Sequence, residues 1–398
     1  MKGERPLVAV FDLITSVGGV QSVMAAVLPR LAERLDVVVI DPYNHPEYAE
    51  LMQNAGVRVV RLGEAPQRRY IGGRTPLGRF CNIALRVPWL LLTMRRLRAW
   101  VRKNRPDIVY FNQLPASRVF SRAMPREGPK LVYHAHGFRG PEDVGSKTAR
   151  LLSRRFACAF AVSRITADLL VQAGADRDKV RVVYNAVDSS AIRRRAESDG
   201  PALPPKAGDC VVFTHVAVVN RHKKAQHLGV EALAQLPNTP VSHLWICGDV
   251  PSGGDRSYLA YLRGRVKDLG LQGRVHFLGW RTDVPRVLKQ SDVCILPSRD
   301  HSESFGMVLA EAMALGKPCI GSNFGGVPEV IADNETGLVC EPTVEALAEA
   351  MARLAASPDV RATMGQAGRR RVEEMFSLDR QADEIAGHLR SVVDATEG

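Results

Sequence analysis

Residues 293–321 read VCILPSRDHSESFGMVLAEAMALGKPCIG. Val293–Pro297 is a short buried-strand pattern closed by proline, and Cys319–Gly321 is a second one after Gly316-Lys317-Pro318, with helical spacing between them. Strand, helix and strand in that order make the unit of a parallel sheet wrapped by helices. Outward from this unit the alternation continues through Val211–Val216, His243–Gly248, Val275–Leu278 and Leu338–Cys340. It fills the first half too, with Leu7–Phe11, Val37–Ile40, Val57–Arg61, Ile108–Phe111, Lys130–His134, Ala159–Val162 and Val180–Tyr184. Ser189–Asp209, with Arg193-Arg194-Arg195, Gly200-Pro201 and Pro204-Pro205, is polar and punctuated and reads as a linker. The expected fold is α/β: two doubly wound, Rossmann-like parallel-sheet domains with an interdomain cleft. The domains are residues 1–188, a linker 189–209, residues 210–378, and a C-terminal helix in 379–398 that packs back on one of the two. Ligands of such sheets sit beyond the carboxyl ends of the strands, so the cleft is the expected site.

With 398 residues, 45% hydrophobic and 24% charged, the chain has the composition of a globular protein of two or three domains, which excludes disorder and fibrous repeats. The net charge of +12 is unevenly held: residues 1–200 carry 33 basic and 18 acidic side chains, residues 201–398 carry 21 and 24. An anionic partner for the first half follows. The seven cysteines stand singly with no Cys-x-x-Cys, the usage of a reducing compartment. Leu7–Phe11 lacks the apolar core and cleavage site of a signal peptide, and Val87–Met94, the longest apolar stretch, falls short of a membrane span. A cytoplasmic location is expected. No Gly-x-Gly-x-x-Gly follows a strand, which argues against a nicotinamide dehydrogenase, and no nucleic-acid module is recognisable.

Glu303 and Glu311 are eight positions apart, on one side of a helix and ~12 Å of rise from each other. Paired surface glutamates are common; context sharpens these. Glu303 closes a strand-to-helix loop containing Phe305-Gly306, where amides at a helix N-terminus hold phosphate oxygens or polar sugar groups. The stretch resembles the signature of the retaining GT-B glycosyltransferases of family 4: Glu-x7-Glu, then Gly325-Gly326-Val327-Pro328-Glu329 and Thr336-Gly337-Leu338. The likeness extends to Cys247-Gly248-Asp249, Val275–Trp280, Asn185–Asp188 and Gly18-Gly19-Val20.

That resemblance implies a hexosyltransferase that moves sugar from a UDP-, GDP- or ADP-sugar to an acceptor hydroxyl, with no cofactor and no metal. Glu311 is implied to bind the ribose hydroxyls and Glu303 to sit by the donor sugar. Ser304 and the amides of Phe305, Gly306 and Met307 are implied to face sugar and distal phosphate, with Gly325 and Gly326 approaching closely. His136, at the end of a buried strand, is implied to reach the reacting centre, with His134 behind it. Lys223 matches the family lysine that neutralises the diphosphate, while Val218 stands where an arginine is expected; Arg221 is the candidate substitute. Gly18 and Gly19, after the first strand, form either an anion nest or a plain turn. Asp176-Arg177-Asp178 reads as turn chemistry and Ser163 as an N-cap.

Arg86–Arg105 sets Trp89, Leu90, Leu91, Leu92, Met94, Leu97 and Trp100 among seven basic residues. Two readings stay open for it: a core helix with a basic outer face, or an anchor on an anionic membrane from the cytoplasmic side. The surplus charge of the first half points to an anionic or lipid-linked acceptor in polysaccharide or glycolipid assembly. A phosphorylase, a sugar-nucleotide epimerase, or glycosylation of a small natural product is the alternative on the same architecture.

Overall fold

The computed structural model describes residues 5–12, 19–42, 44–63, 76–125, 127–206, 208–220, 223–251, 253–299 and 303–395. Gly18 and Arg221 fall outside them. The first domain holds β1 (Leu7–Phe11), β2 (Asp36–Asp41), β3 (Arg58–Arg61), β4 (Ile108–Phe111), β5 (Lys130–Ala135), β6 (Cys158–Ala161) and β7 (Val180–Val182). They form one parallel sheet in the order β3-β2-β1-β4-β5-β6-β7. The second domain holds β8 (Val211–Val216), β9 (Ser242–Cys247), β10 (Val275–Gly279), β11 (Val293–Leu296), β12 (Cys319–Ser322) and β13 (Gly337–Cys340), in the order β10-β9-β8-β11-β12-β13. Strand order reverses beside β1 and beside β8, the two points where such sheets open a crevice.

Both faces of each sheet are covered, which is why the strands are continuous apolar runs. On the first sheet Ala9, Phe11, Val38, Ile40, Val109 and Phe111 lie under Leu97 and Val101 of the helix Pro76–Asn104. Their neighbours Val8, Val10, Val37, Val39, Ile108 and Tyr110 point the other way. They are covered by the helix Gly19–Ala32 and, from the far end of the chain, by Leu378, Ala382, Ile385, Ala386 and Leu389 of the helix Leu378–Asp394. That three-to-four spacing is an amphipathic stripe, and the stripe is buried on the first domain.

Ser189–Ala196 is a helix and not the start of a linker. Asp188 caps it by accepting the amide of Ala191 at 2.7 Å, and Ile192 and Ala196, one turn apart, are buried. Ile192 joins Leu288, Leu296 and Phe305 in the core of the second domain. The chain therefore changes domain at residues 183–188. It returns at 376–378, and the two passages touch: Val187 donates its amide to the Phe376 carbonyl at 2.9 Å. Tyr184, Phe305 and Phe376 cluster beside them, with ring centroids 5.2–6.3 Å apart.

The helix Leu378–Asp394 should be an energetic part of the first domain. Ile385→Ala is expected to cost about 2–5 kcal/mol, read as a lowered midpoint in denaturant, whereas Arg380→Ala on its exposed face should change the midpoint little.

Candidate functional site

The site is assembled from four loops at the carboxyl ends of strands, the fourth being the one after β8 that carries Lys224. The first follows β11. The helix it feeds, Met307–Ala314, begins after Gly306, whose φ of +87° is left-handed and interrupts helical geometry. Glu303 thus precedes the helix, and the expectation that both glutamates share one helical face is corrected. Its carboxylate forms an ion pair with Lys224 Nζ and accepts from Ser298 Oγ at 3.3 Å. Its carbonyl accepts the amide of Gly326 at 2.8 Å. The Phe305 side chain is buried in the aromatic cluster, and Met307 is half-buried.

Gly325 and Gly326 make the second loop. Gly325 has φ +61°, and a Cβ on Gly326 would run into the Ser304 carbonyl, so the turn can lie against the Glu303–Ser304 backbone only as glycine.

The third loop leaves β5 in the other domain. Ser304 Oγ donates to the His136 carbonyl at 2.5 Å, across the cleft. Gly137, φ +140°, permits this approach, since a Cβ there would stand 2.6 Å from that of Ser304. The His136 imidazole packs against that of His134, with centroids 4.3 Å apart and the ring planes tilted by 32°. Its Nε2 is buried without a partner among the described residues. Burial lowers its pKa to about 4, so at neutral pH the ring is uncharged. His134 shares a 2.6 Å hydrogen bond with the Tyr110 hydroxyl through Nδ1, and burial together with His136 holds its pKa well below the ordinary range.

The structure brings His136, Ser304, Glu303 and Gly326 together. Lys223 is exposed and its amide donates to Asn220 Oδ1 at 3.0 Å; the lysine that reaches Glu303 is its neighbour Lys224. Sequence reading missed it because nothing in the pattern separates two adjacent lysines; in the structure Lys224 is half-buried and paired while Lys223 is exposed. Gly19 is the first residue of its helix. Asp176 caps the turn Arg177–Lys179 by accepting the amide of Asp178, and Ser163 caps the helix Arg164–Gln172. A cavity of about 640 Å³ bordered by Val219, Asn220, Val250 and Tyr258 adjoins the Lys224 loop. A larger one, about 900 Å³, lies at the amino ends of β4 and β5, far from this chemistry.

Glu311, half-buried in the helix Met307–Ala314, has its pKa raised to about 7 by burial, against the pull of the Arg195 charge. The folded state then holds a proton more tightly than the unfolded state, so stability falls as pH rises from about 4.5 through about 7. Glu311→Gln should flatten that slope and leave the variant about 1–3 kcal/mol more stable than the parent at pH 8, measured by urea unfolding at both ends of the range.

Comparison with known proteins fits this geometry. Residues 17–191 match the family model described as Glycosyltransferase Family 4, and residues 204–371 that described as Glycosyl transferases group 1. A D-inositol 3-phosphate glycosyltransferase of Saccharomonospora viridis is 30% identical over 313 residues, 73% of this chain and 72% of the relative. A GDP-mannose-dependent alpha-(1-6)-phosphatidylinositol monomannoside mannosyltransferase of Mycolicibacterium smegmatis is 29% identical over 88% of this chain and 89% of its own. Against the first curated relatives the chain spans about half of the relative's length, 51% and 49%. Among solved structures, Anabaena HepE with UDP and glucose superposes with a TM-score of 0.76 at 22% identity, covering 97% of this chain and 100% of HepE, which establishes the GT-B fold. The chain belongs to glycosyltransferase family 4.

Proposed function

We propose that this glycosyltransferase is a retaining hexosyltransferase that takes its sugar from a nucleoside diphosphate sugar and passes it to a hydroxyl of an anionic, membrane-borne acceptor. The observation that carries the reading is the Lys224–Glu303 pair, set between the Gly325-Gly326 turn and the His136 loop. Glu303 neutralises Lys224. A diphosphate arriving at the glycine turn offers Lys224 a more highly charged partner and releases the carboxylate toward the sugar. Lys224, with Arg221 and Lys223 from the same loop, offsets the charge of the leaving group, where preorganised electrostatics contribute most. Glu311, once ionised, accepts from the ribose hydroxyls, and neutral His136 hydrogen-bonds the sugar through Nε2.

In the reaction the bond from the anomeric carbon to the phosphate oxygen breaks and its electron pair stays on the diphosphate. The acceptor oxygen attacks from the same face, and its proton passes to the departing phosphate oxygen, so configuration is retained. Neither a metal ion nor a further cofactor is required. Cleft closure limits competing attack by water.

Three lines support the acceptor class. The first domain holds the basic surplus. The two relatives named above bear names with phosphate-containing acceptors. On the helix Pro76–Asn104, Val87, Leu91 and Leu92 are 41%, 56% and 45% exposed, followed on the outer surface by Arg95, Arg102 and Lys103. Its inner face, with Thr93, Leu97 and Val101, is buried. Among the described residues no helix is long and apolar enough to cross a membrane, so this face would dock on anionic lipid from one side, at the cytoplasmic surface.

A screen of UDP-, GDP- and ADP-sugars should find one that raises the melting temperature, an effect abolished by Lys224→Ala. Product analysis by NMR should show the donor's anomeric configuration preserved. No stabilisation by any of the three, with unchanged activity in Lys224→Ala, would sink the donor reading. Flotation on vesicles with and without anionic lipid checks the acceptor side; Leu91→Glu should reduce binding about tenfold.

A further inference from the structure

The glycine turn meets the acceptor-side domain at a second place, through a residue that the reaction chemistry leaves unused. Glu329 lies in the short helix Val327–Val330, and its side chain crosses to the other domain. Oε2 accepts the amide of Arg164 at 2.8 Å and Oε1 that of Ile165 at 3.1 Å. These amides open the helix Arg164–Gln172. A carboxylate there satisfies N–H groups that have no partner within their own helix and meets the positive end of its dipole, in charge-assisted bonds stronger than neutral ones. The Tyr184 hydroxyl faces the same carboxylate; burial, and then the Glu329 charge, raise its phenol above the usual value.

The backbone of Glu329 is equally well held. Its amide donates to the Gly326 carbonyl at 3.1 Å. Arg371 donates to the carbonyls of Glu329 and Val330 at 2.8 and 2.9 Å while its guanidinium lies over the Phe376 ring. Since Gly326 in turn donates to Glu303, the residues Glu303, Gly326 and Glu329 form one hydrogen-bonded unit. That unit grips the first domain twice, by Ser304 on His136 and by Glu329 on Arg164 and Ile165.

We propose that Glu329 is a positioning residue: it docks the glycine turn on the helix Arg164–Gln172 and so sets the closed cleft in which His136 and Glu303 face one space. Its catalytic consequence rests on the function proposed above; the docking does not.

Docking is tested without substrate by labelling Arg154→Cys and Lys267→Cys, one exposed position in each domain, and measuring the distance distribution by double electron–electron resonance. The parent should give a narrow distribution. Glu329→Ala should broaden it toward longer distances, with Glu329→Gln, which keeps one accepting oxygen, between them. Thermal unfolding verifies that both variants are folded. An unchanged distribution in Glu329→Ala overturns the proposal whatever the donor is. With an active donor, Glu329→Ala should lower kcat about ten- to a hundredfold and change donor KM by less than about threefold. Donor hydrolysis should rise relative to transfer, with partial recovery in Glu329→Gln. Lost thermal stability at unchanged kcat also overturns it. Failure of every nucleotide sugar to bind overturns the donor reading alone, since the distance measurement stands without it.

Discussion

Everything in the cleft depends on the side-by-side passage of two chain segments between the domains. Val187 and Phe376 are hydrogen-bonded to each other, and the Tyr184–Phe305–Phe376 cluster is wedged beside them. Two passages bonded together join the domains at one place, which constrains them more than two separate crossings would. Phe305 belongs to that cluster and is also the residue between Ser304 and Gly306. The loop carrying Glu303 is therefore anchored where the chain crosses between the domains.

Burial shapes the electrostatics as much as charge does. His136 is kept neutral because its surroundings exclude water, and Glu311 holds its proton to near pH 7 for the same reason. The positive charge of Lys224 is stored against Glu303 and not left bare. That single pair is local, whereas the first half of the chain carries a large positive surplus. Exposed charges of one sign, such as Arg95, Arg102 and Lys103, attract an anionic partner over distance.

The fold was legible because a parallel sheet covered on both faces demands uninterrupted apolar strands, and Val8–Phe11 or Val293–Leu296 can hardly be read otherwise. The resemblance pointed to the glutamates, the glycine turn and His136, and the structure brings the Glu303 loop, Gly326 and the His136 loop into contact. What stayed hidden depends on backbone angles that no side-chain pattern announces. Left-handed Gly306 delays the helix past Glu303, and of two adjacent lysines the folded loop pairs Lys224 with Glu303 and leaves Lys223 exposed. In Ser189–Ala196, three consecutive arginines masked an Ile192–Ala196 stripe only two residues deep. Glu329 was visible as part of a motif, but its partners are 165 and 164 positions away in sequence, and only the folded chain joins them.

The helix Leu378–Asp394 also bears on how the protein comes into being. One face of the first sheet, with Val8, Val10, Val39 and Tyr110, is completed by residues that the ribosome adds only after the entire second domain. At about 5–20 residues per second, that leaves an apolar surface incompletely covered for roughly ten seconds or longer after β7 has been made. During synthesis the first domain must wait for the second, and a chain halted before residue 378 would present that face to chaperones and proteases.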